Sequence, residues 1–254
     1  MVFDFRNKTV LVTGSSGGIG RAIAVMFAKA GARVIVHYNQ NIDEATHTLK
    51  MLHPGEHFMI KASFSDIEQI QLLAEKAIAK AGRIDILVNN AGVFSECPLQ
   101  SSSFEEWIAH WDRALGVNLS AAAHLTYFIG RHMIASGGGR IINISSRGAF
   151  RGEPDAPAYG ASKAGLNAFS QSLAKALAPF HIYVYAVAPG FVETEMAAPA
   201  LKGLKGDEIR NQSPLGRVAT PDDVAHAVLM LASDGSEFMT GTIVDVNGAS
   251  YLRS

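Results

Sequence analysis

Short apolar, β-branched runs alternate with longer amphipathic stretches along the whole chain. The runs Thr9–Val12, Arg33–His37, His57–Lys61, Ile84–Val88, Arg140–Ile144, Ile182–Val187 and Thr242–Val246 predict strands. Between them, helical periodicity marks Ile19–Ala30, Asp43–Leu52, Ile67–Ala81, Phe104–Ala135, Tyr159–Ala178 and Pro221–Ala232. The strand runs are nearly continuous in apolar residues, the pattern of strands covered on both faces. Together these elements predict an α/β fold: a single-domain, Rossmann-type, doubly wound parallel sheet of about seven strands with helices on both faces.

No proline-rich linker, repeat or low-complexity segment interrupts the alternation, so residues 1–254 are read as one domain. Residues 191–218 are the one long stretch without strand character, with Pro199, Gly203, Gly206 and Pro214 around short helical pieces. A long excursion inside a compact domain is either a lid over a site or an unstructured loop, and the lid is the reading adopted.

Composition narrows the partners more than the fold. With 254 residues, 48% hydrophobic and 18% charged, the chain can bury a substantial core. A formal net charge of −1 gives no attraction to nucleic acid or to an anionic membrane surface, and neither is expected as a partner. No apolar run approaches the ~18 residues of a membrane span. Met1–Val12 lacks the apolar core and cleavage site of a signal peptide. Cys97 is the only cysteine, which suits a reducing compartment, so a cytoplasmic location is expected.

The first candidate chemistry follows the first strand. In Thr13-Gly14-Ser15-Ser16-Gly17-Gly18-Ile19-Gly20 the glycines let backbone approach a pyrophosphate, whose charge the opening helix favours. A dinucleotide site is expected there, contacted by Gly14, Ser16, Gly18, Ile19 and Gly20. After the second strand stands His37-Tyr38-Asn39-Gln40, without the acid that commonly holds the ribose hydroxyls of NAD. Its absence favours NADP, with NAD as the alternative. Gly17 occupies the loop position where a base often sits, leaving His37, Arg21 or Arg33 as the cation for a 2′-phosphate. The pair in His53-Pro54-Gly55-Glu56-His57 lies in a turn and is no metal site.

The second candidate is Tyr159-Gly160-Ala161-Ser162-Lys163, where i,i+4 spacing puts phenol and ammonium on one helix face. A tyrosine at its ordinary pKa of about 10 is a poor base at neutral pH, and a neighbouring ammonium lowers it. The pair is therefore a candidate general acid/base. Taken alone, the spacing equally describes an exposed helix face.

Three further motifs stand in order with these. Asn89-Asn90-Ala91-Gly92 follows the fourth strand, with Asn118 in Val117-Asn118-Leu119 beyond it. Ser146 ends the fifth strand, 13 residues before Tyr159, and Pro189-Gly190 follows the sixth, with Thr194 4 residues on. With these motifs the chain resembles the short-chain dehydrogenase/reductase family over essentially its whole length, most of all its β-ketoacyl-acyl-carrier-protein reductase-like members.

The resemblance implies reversible hydride transfer between a nicotinamide and a ketone or secondary alcohol, without a metal. Ser146 would polarise the substrate carbonyl, Tyr159 would transfer the proton, and Lys163 would hold the nicotinamide ribose and depress the tyrosine pKa. Asn118 would kink its helix and place a relay water. Asn90, Ala91 and Gly92 would line the adenosine ribose. Pro189, Gly190, Val192 and Thr194 would flank the nicotinamide, Val192 and Thr194 at its carboxamide. Ser63-Phe64 stands where relatives often have an acid and an apolar residue for adenine.

A carrier-protein reductase specifically, or a catalytically silent dinucleotide sensor, remain alternatives. Against the first, the rim around Gly137–Gly139 and Pro179-Phe180-His181 lacks basic residues for an acidic carrier. Against the second, Tyr159 and Lys163 are both present. The loop from Ser146 to Tyr159 carries Arg147, Arg151, Glu153 and Asp155, and Arg147 or Arg151 could meet an anionic substrate group or form an internal ion pair. Family relatives also suggest a homotetramer built through the long helices.

Overall fold

The computed structural model describes residues 3–253, Lys205 by its backbone alone; Met1, Val2 and Ser254 of the domain read above lie outside the described residues. Its strands are β1 (Thr9–Val12), β2 (Arg33–Tyr38), β3 (Phe58–Lys61), β4 (Ile86–Asn89), β5 (Gly139–Ile144), β6 (Ile182–Pro189) and β7 (Ile243–Val246). They form one sheet in the order β3-β2-β1-β4-β5-β6-β7, and every pairing is parallel. The chain turns back between β1 and β4, so the loops leaving their C-terminal ends diverge and open a crevice.

Period-two alternation feeds two cores. Val10, Val12, Val34 and Val36 face the side covered by α1 (Gly18–Lys29) and α9 (Pro221–Ala232). Leu11, Ile35, Leu87 and Ile141 face the other, covered by α3 (Ile67–Ala81), α5 (Ala121–Ala135) and α7 (Pro157–Leu177). Four of the helix starts carry a side-chain cap. Asn41 caps α2 (Ile42–Met51) and Asp66 caps α3. Capping boxes start α4 (Phe104–Leu115), from Ser103 and Glu106, and α9, from Thr220 and Asp223.

The predicted elements all form, with ends moved by one or two residues. The largest difference is the predicted helix Phe104–Ala135, which divides into α4, a π-helical turn at Gly116–Ser120, and α5. Residues 191–218 contain α8 (Gly203–Asn211). The ends of this excursion are tied together by a parallel bridge of Val192 with Ala219, reinforced by Glu193 N–H to Ala219 O at 2.9 Å.

Candidate active site

At the β1–α1 turn the glycines do what side chains would prevent. Gly14 has φ +61, and a Cβ on it would lie 2.9 Å from Ala91 Cα. A Cβ on Gly20 would come within 2.3 Å of Gly14 O. While α2, α3, α4 and α9 are capped by side chains, α1 begins from Gly17 with no side-chain cap, leaving its first N–H groups to a ligand. Ser16, Gly18 and Ile19 stand in that turn. The geometry fits a bound pyrophosphate.

Asn90 clamps this turn from β4. Its Nδ2 donates to Thr13 O at 2.8 Å and Gly14 O at 3.1 Å, while Asn90 and Ala91 N–H reach Thr13 Oγ1. Thr194 closes over the turn from beyond β6, its Cγ2 being 3.3 Å from where a Cβ on Gly18 would stand. The distant motifs at Thr13, Asn90 and Thr194 therefore meet at one crevice. Pro189 and Gly190 end β6 beside it, and Val192 is buried in the bridge that follows.

The expectation that His37 supplies positive charge is overturned. Its Nδ1 accepts the Gly14 N–H at 3.0 Å and its Nε2–H is bonded to Ala62 O at 3.1 Å, so both ring nitrogens are used in the neutral form. Phe64 stacks on the ring at 4.5 Å, and burial lowers the pKa to about 4. His37 holds the glycine turn to the sheet. Arg33 lies at the opposite end of β2, bonded to Glu56 O at 2.9 Å, and is excluded too. Arg21 remains: it reaches back to Ser16 O and pairs with Glu44, with Nε on Thr48 Oγ1 at 2.9 Å. Ser63, expected near adenine, bonds Ser65 Oγ at 2.8 Å. His57 turns its Nδ1 to Val34 N–H and its Nε2 to His53 O.

The four catalytic candidates converge beyond the C-terminal ends of β4 and β5. Asn118 accepts the Val93 N–H at 2.8 Å and donates to Val93 O and Ser162 Oγ at 3.0 Å each. These bonds fix the π-helical kink. A Cβ on Gly92 would lie 3.2 Å from Asn118 Oδ1 and 3.4 Å from Lys163 Nζ, so a side chain there would crowd both groups. Lys163 Nζ donates to Ile144 O at 2.8 Å and stands 5.9 Å from the centre of the Tyr159 ring. Ser146 Oγ accepts the Gly148 N–H at 3.0 Å, while Ser145 is buried on Lys163 O.

The electrostatics differ from the sequence expectation. Burial raises the Tyr159 pKa, the Ser146 hydroxyl opposes the rise, and the charge of Glu153 adds to it. Lys163, buried with no carboxylate beside it, is lowered to about 8. The ammonium alone therefore does not bring the phenol into the neutral range.

The loop between Ser146 and Tyr159 includes α6 (Gly148–Arg151). Arg147 is buried under the C-terminal segment, with Nη1 on Ser250 Oγ at 2.7 Å and its guanidinium 4.9 Å over the Phe191 ring. Burial lowers its pKa to about 10. Arg151 stays exposed, 3.9 Å from Glu153, a separation beyond hydrogen-bonding range. Sequence reading also passes over Phe94, set edge-on to Tyr159 at 5.1 Å, and over a cavity lined by Ser95, Trp107, His110 and Tyr159. Phe94 and Ser95 follow directly on the Asn90-Ala91-Gly92 turn, which is the signal the sequence offers for them.

A glycine turn shaped for a pyrophosphate, joined to a Ser–Tyr–Lys–Asn cluster, fits a dinucleotide-dependent oxidoreductase, and comparison with known proteins agrees. Residues 14–249 match a family model described as enoyl-(acyl carrier protein) reductase. The chain belongs to the short-chain dehydrogenase/reductase family and is an NAD(P)-dependent oxidoreductase. Among its relatives, the 3-oxoacyl-[acyl-carrier-protein] reductase FabG of Thermotoga maritima is 37% identical, covering 96% of this chain and 98% of that one. A D-threitol dehydrogenase of Mycolicibacterium smegmatis is 36% identical over 99% and 96%. A crystal structure of a putative NAD(P) dependent gluconate 5-dehydrogenase from Beutenbergia cavernae, with bound NADP at low occupancy, superposes with a TM-score of 0.90. It is 34% identical and covers 98% of this chain and 99% of its own.

Proposed function

We propose that the chain interconverts a ketone and a secondary alcohol with Tyr159 as general acid/base and NADP(H) as the preferred cofactor. The observation that carries this is the meeting of Ser146, Tyr159, Lys163 and Asn118 at the crevice that the glycine turn enters. When bound, the nicotinamide supplies or accepts the hydride. In reduction, Ser146 Oγ donates a hydrogen bond to the substrate oxygen and Tyr159 gives it a proton; in oxidation Tyr159 takes the proton back. Lys163 holds the nicotinamide ribose hydroxyls, and Asn118 is a positioning residue whose kink sets the back wall. The free N–H groups from Ser16 to Ile19 and Gly20 take the pyrophosphate, Ala91 and Gly92 line the adenosine ribose, and Gly190, Val192 and Thr194 flank the nicotinamide.

No carboxylate stands at the end of β2 to repel a 2′-phosphate, which supports NADP. With His37 neutral, Arg21 is the cation in reach, and it must exchange Glu44 for the phosphate. The ratio of kcat/KM for NADPH over NADH tests this. Arg21→Ala is expected to lower the ratio about 10-fold or more and Glu44→Gln to raise it; a ratio unmoved by both contradicts the assignment.

The excursion 191–218, pinned by the Val192–Ala219 bridge and carrying Thr194, is read as the substrate lid. Exposed Phe104 and Ile108 on α4 favour assembly into a homotetramer, and the buried, free Cys97 fits a cytoplasmic setting.

A further inference from the structure

Glu153 stands against the catalytic serine's own turn, among the loop arginines Arg147 and Arg151. Its Oε1 lies 2.8 Å from where a Cβ on Gly148 would be, so any residue but glycine at 148 would push the carboxylate away. Gly148 is the residue whose N–H meets Ser146 Oγ. On the other side, the Glu153 backbone N is 3.9 Å from a Cβ on Gly160, next to Tyr159. The carboxylate thus lies beside the Ser146 turn, and its charge is felt at Tyr159. Its side chain is only 24% exposed, and among the described residues it accepts no hydrogen bond. Arg151, its ionic neighbour, stops at 3.9 Å.

A half-buried carboxylate that lacks donors meets one of two fates when a substrate closes over it. An acyl or alkyl substrate strips its water and leaves it unpaired, which opposes binding. A substrate with a hydroxyl next to the reacting carbon replaces that water with a charge-assisted hydrogen bond. We propose that Glu153 is a substrate-binding carboxylate and that the substrate class is the vicinal diol or polyol, with the corresponding hydroxyketone in reduction. Glu153 is placed to accept from substrate O–H donors and takes no part in hydride transfer. This rests on the oxidoreductase reading above, and it names the group that reading leaves open.

The test pairs substrates that differ by one hydroxyl: butane-2,3-diol against butan-2-ol, and hexane-1,2-diol against hexan-2-ol. Each is run with NADP and with NAD, on the wild type and on Glu153→Gln, with Arg151→Ala as a loop control. The wild type is expected to prefer the diols by about 100-fold in kcat/KM. Glu153→Gln should lower diol turnover about 10- to 100-fold and leave the mono-alcohols within about threefold, while dinucleotide affinity stays unchanged. Arg151→Ala should leave the preference in place. An equal loss on diols and mono-alcohols overturns the proposal, as does a wild type that prefers the mono-alcohols. Faster reduction of an acetoacetyl thioester than of 3-hydroxybutan-2-one also overturns it, in favour of acyl substrates. Failure to oxidise or reduce any of these with either dinucleotide would instead bring down the oxidoreductase reading itself.

Discussion

His37 shows how a single side chain changes meaning once its surroundings are known. In sequence it is a potential cation; between Gly14 N–H, Ala62 O and the Phe64 ring it is a neutral strut. Because its folded pKa, about 4, lies below the ordinary value of 6.5, the unfolded chain binds the proton first as pH falls. The stability it contributes is complete above pH 6.5 and drains away between 6.5 and about 4, amounting to about 3 kcal/mol. Urea denaturation of the wild type and His37→Asn, at pH 7.5 and 4.5, should therefore show a stability gap that narrows at the lower pH. A gap that is constant or widens would contradict the neutral strut. Glu153 has the same lesson from the other side: its charge was visible, but its approach to Gly148 depends on how the loop folds.

At the scale of elements, the π-helical turn at Gly116–Ser120 joins the fold to the chemistry. It exists because Asn118 is bonded to both backbone groups of Val93 and to Ser162. Asn118→Leu would leave those groups buried without partners. A loss of about 2–4 kcal/mol in unfolding free energy is expected, together with a fall in kcat larger than any change in dinucleotide affinity. Unaltered stability would show that the kink does not depend on these bonds. The strands and helices were legible because their signals are local: apolar runs, helical periodicity, and caps such as Ser103 with Glu106. The kink was not, because the residue that bends the helix and the backbone that holds it are 25 positions apart in sequence. The motif residues at Gly14, Asn90, Ser146, Tyr159 and Thr194 were readable in order, and only the sheet could bring them to one crevice.

The whole molecule places its crevice at the C-terminal edge of the sheet, between two cores, and leaves apolar residues on α4 exposed. Phe104 is 71% exposed and Ile108 44%, on one face of α4. If that face joins copies of the chain, Ile108→Asp should shift the solution mass from four chains to two or one, as read by light scattering. A wild type that is monomeric at micromolar concentration would contradict the assembly. The central claim is that Tyr159 carries the proton, and Tyr159→Phe tests it most directly. The account predicts that kcat falls about 10²- to 10⁴-fold while dinucleotide affinity is unchanged, and that the alkaline rise of oxidative kcat/KM, set by a phenol whose pKa is raised, disappears. A phenylalanine variant that retains full turnover and the wild-type pH profile would contradict it.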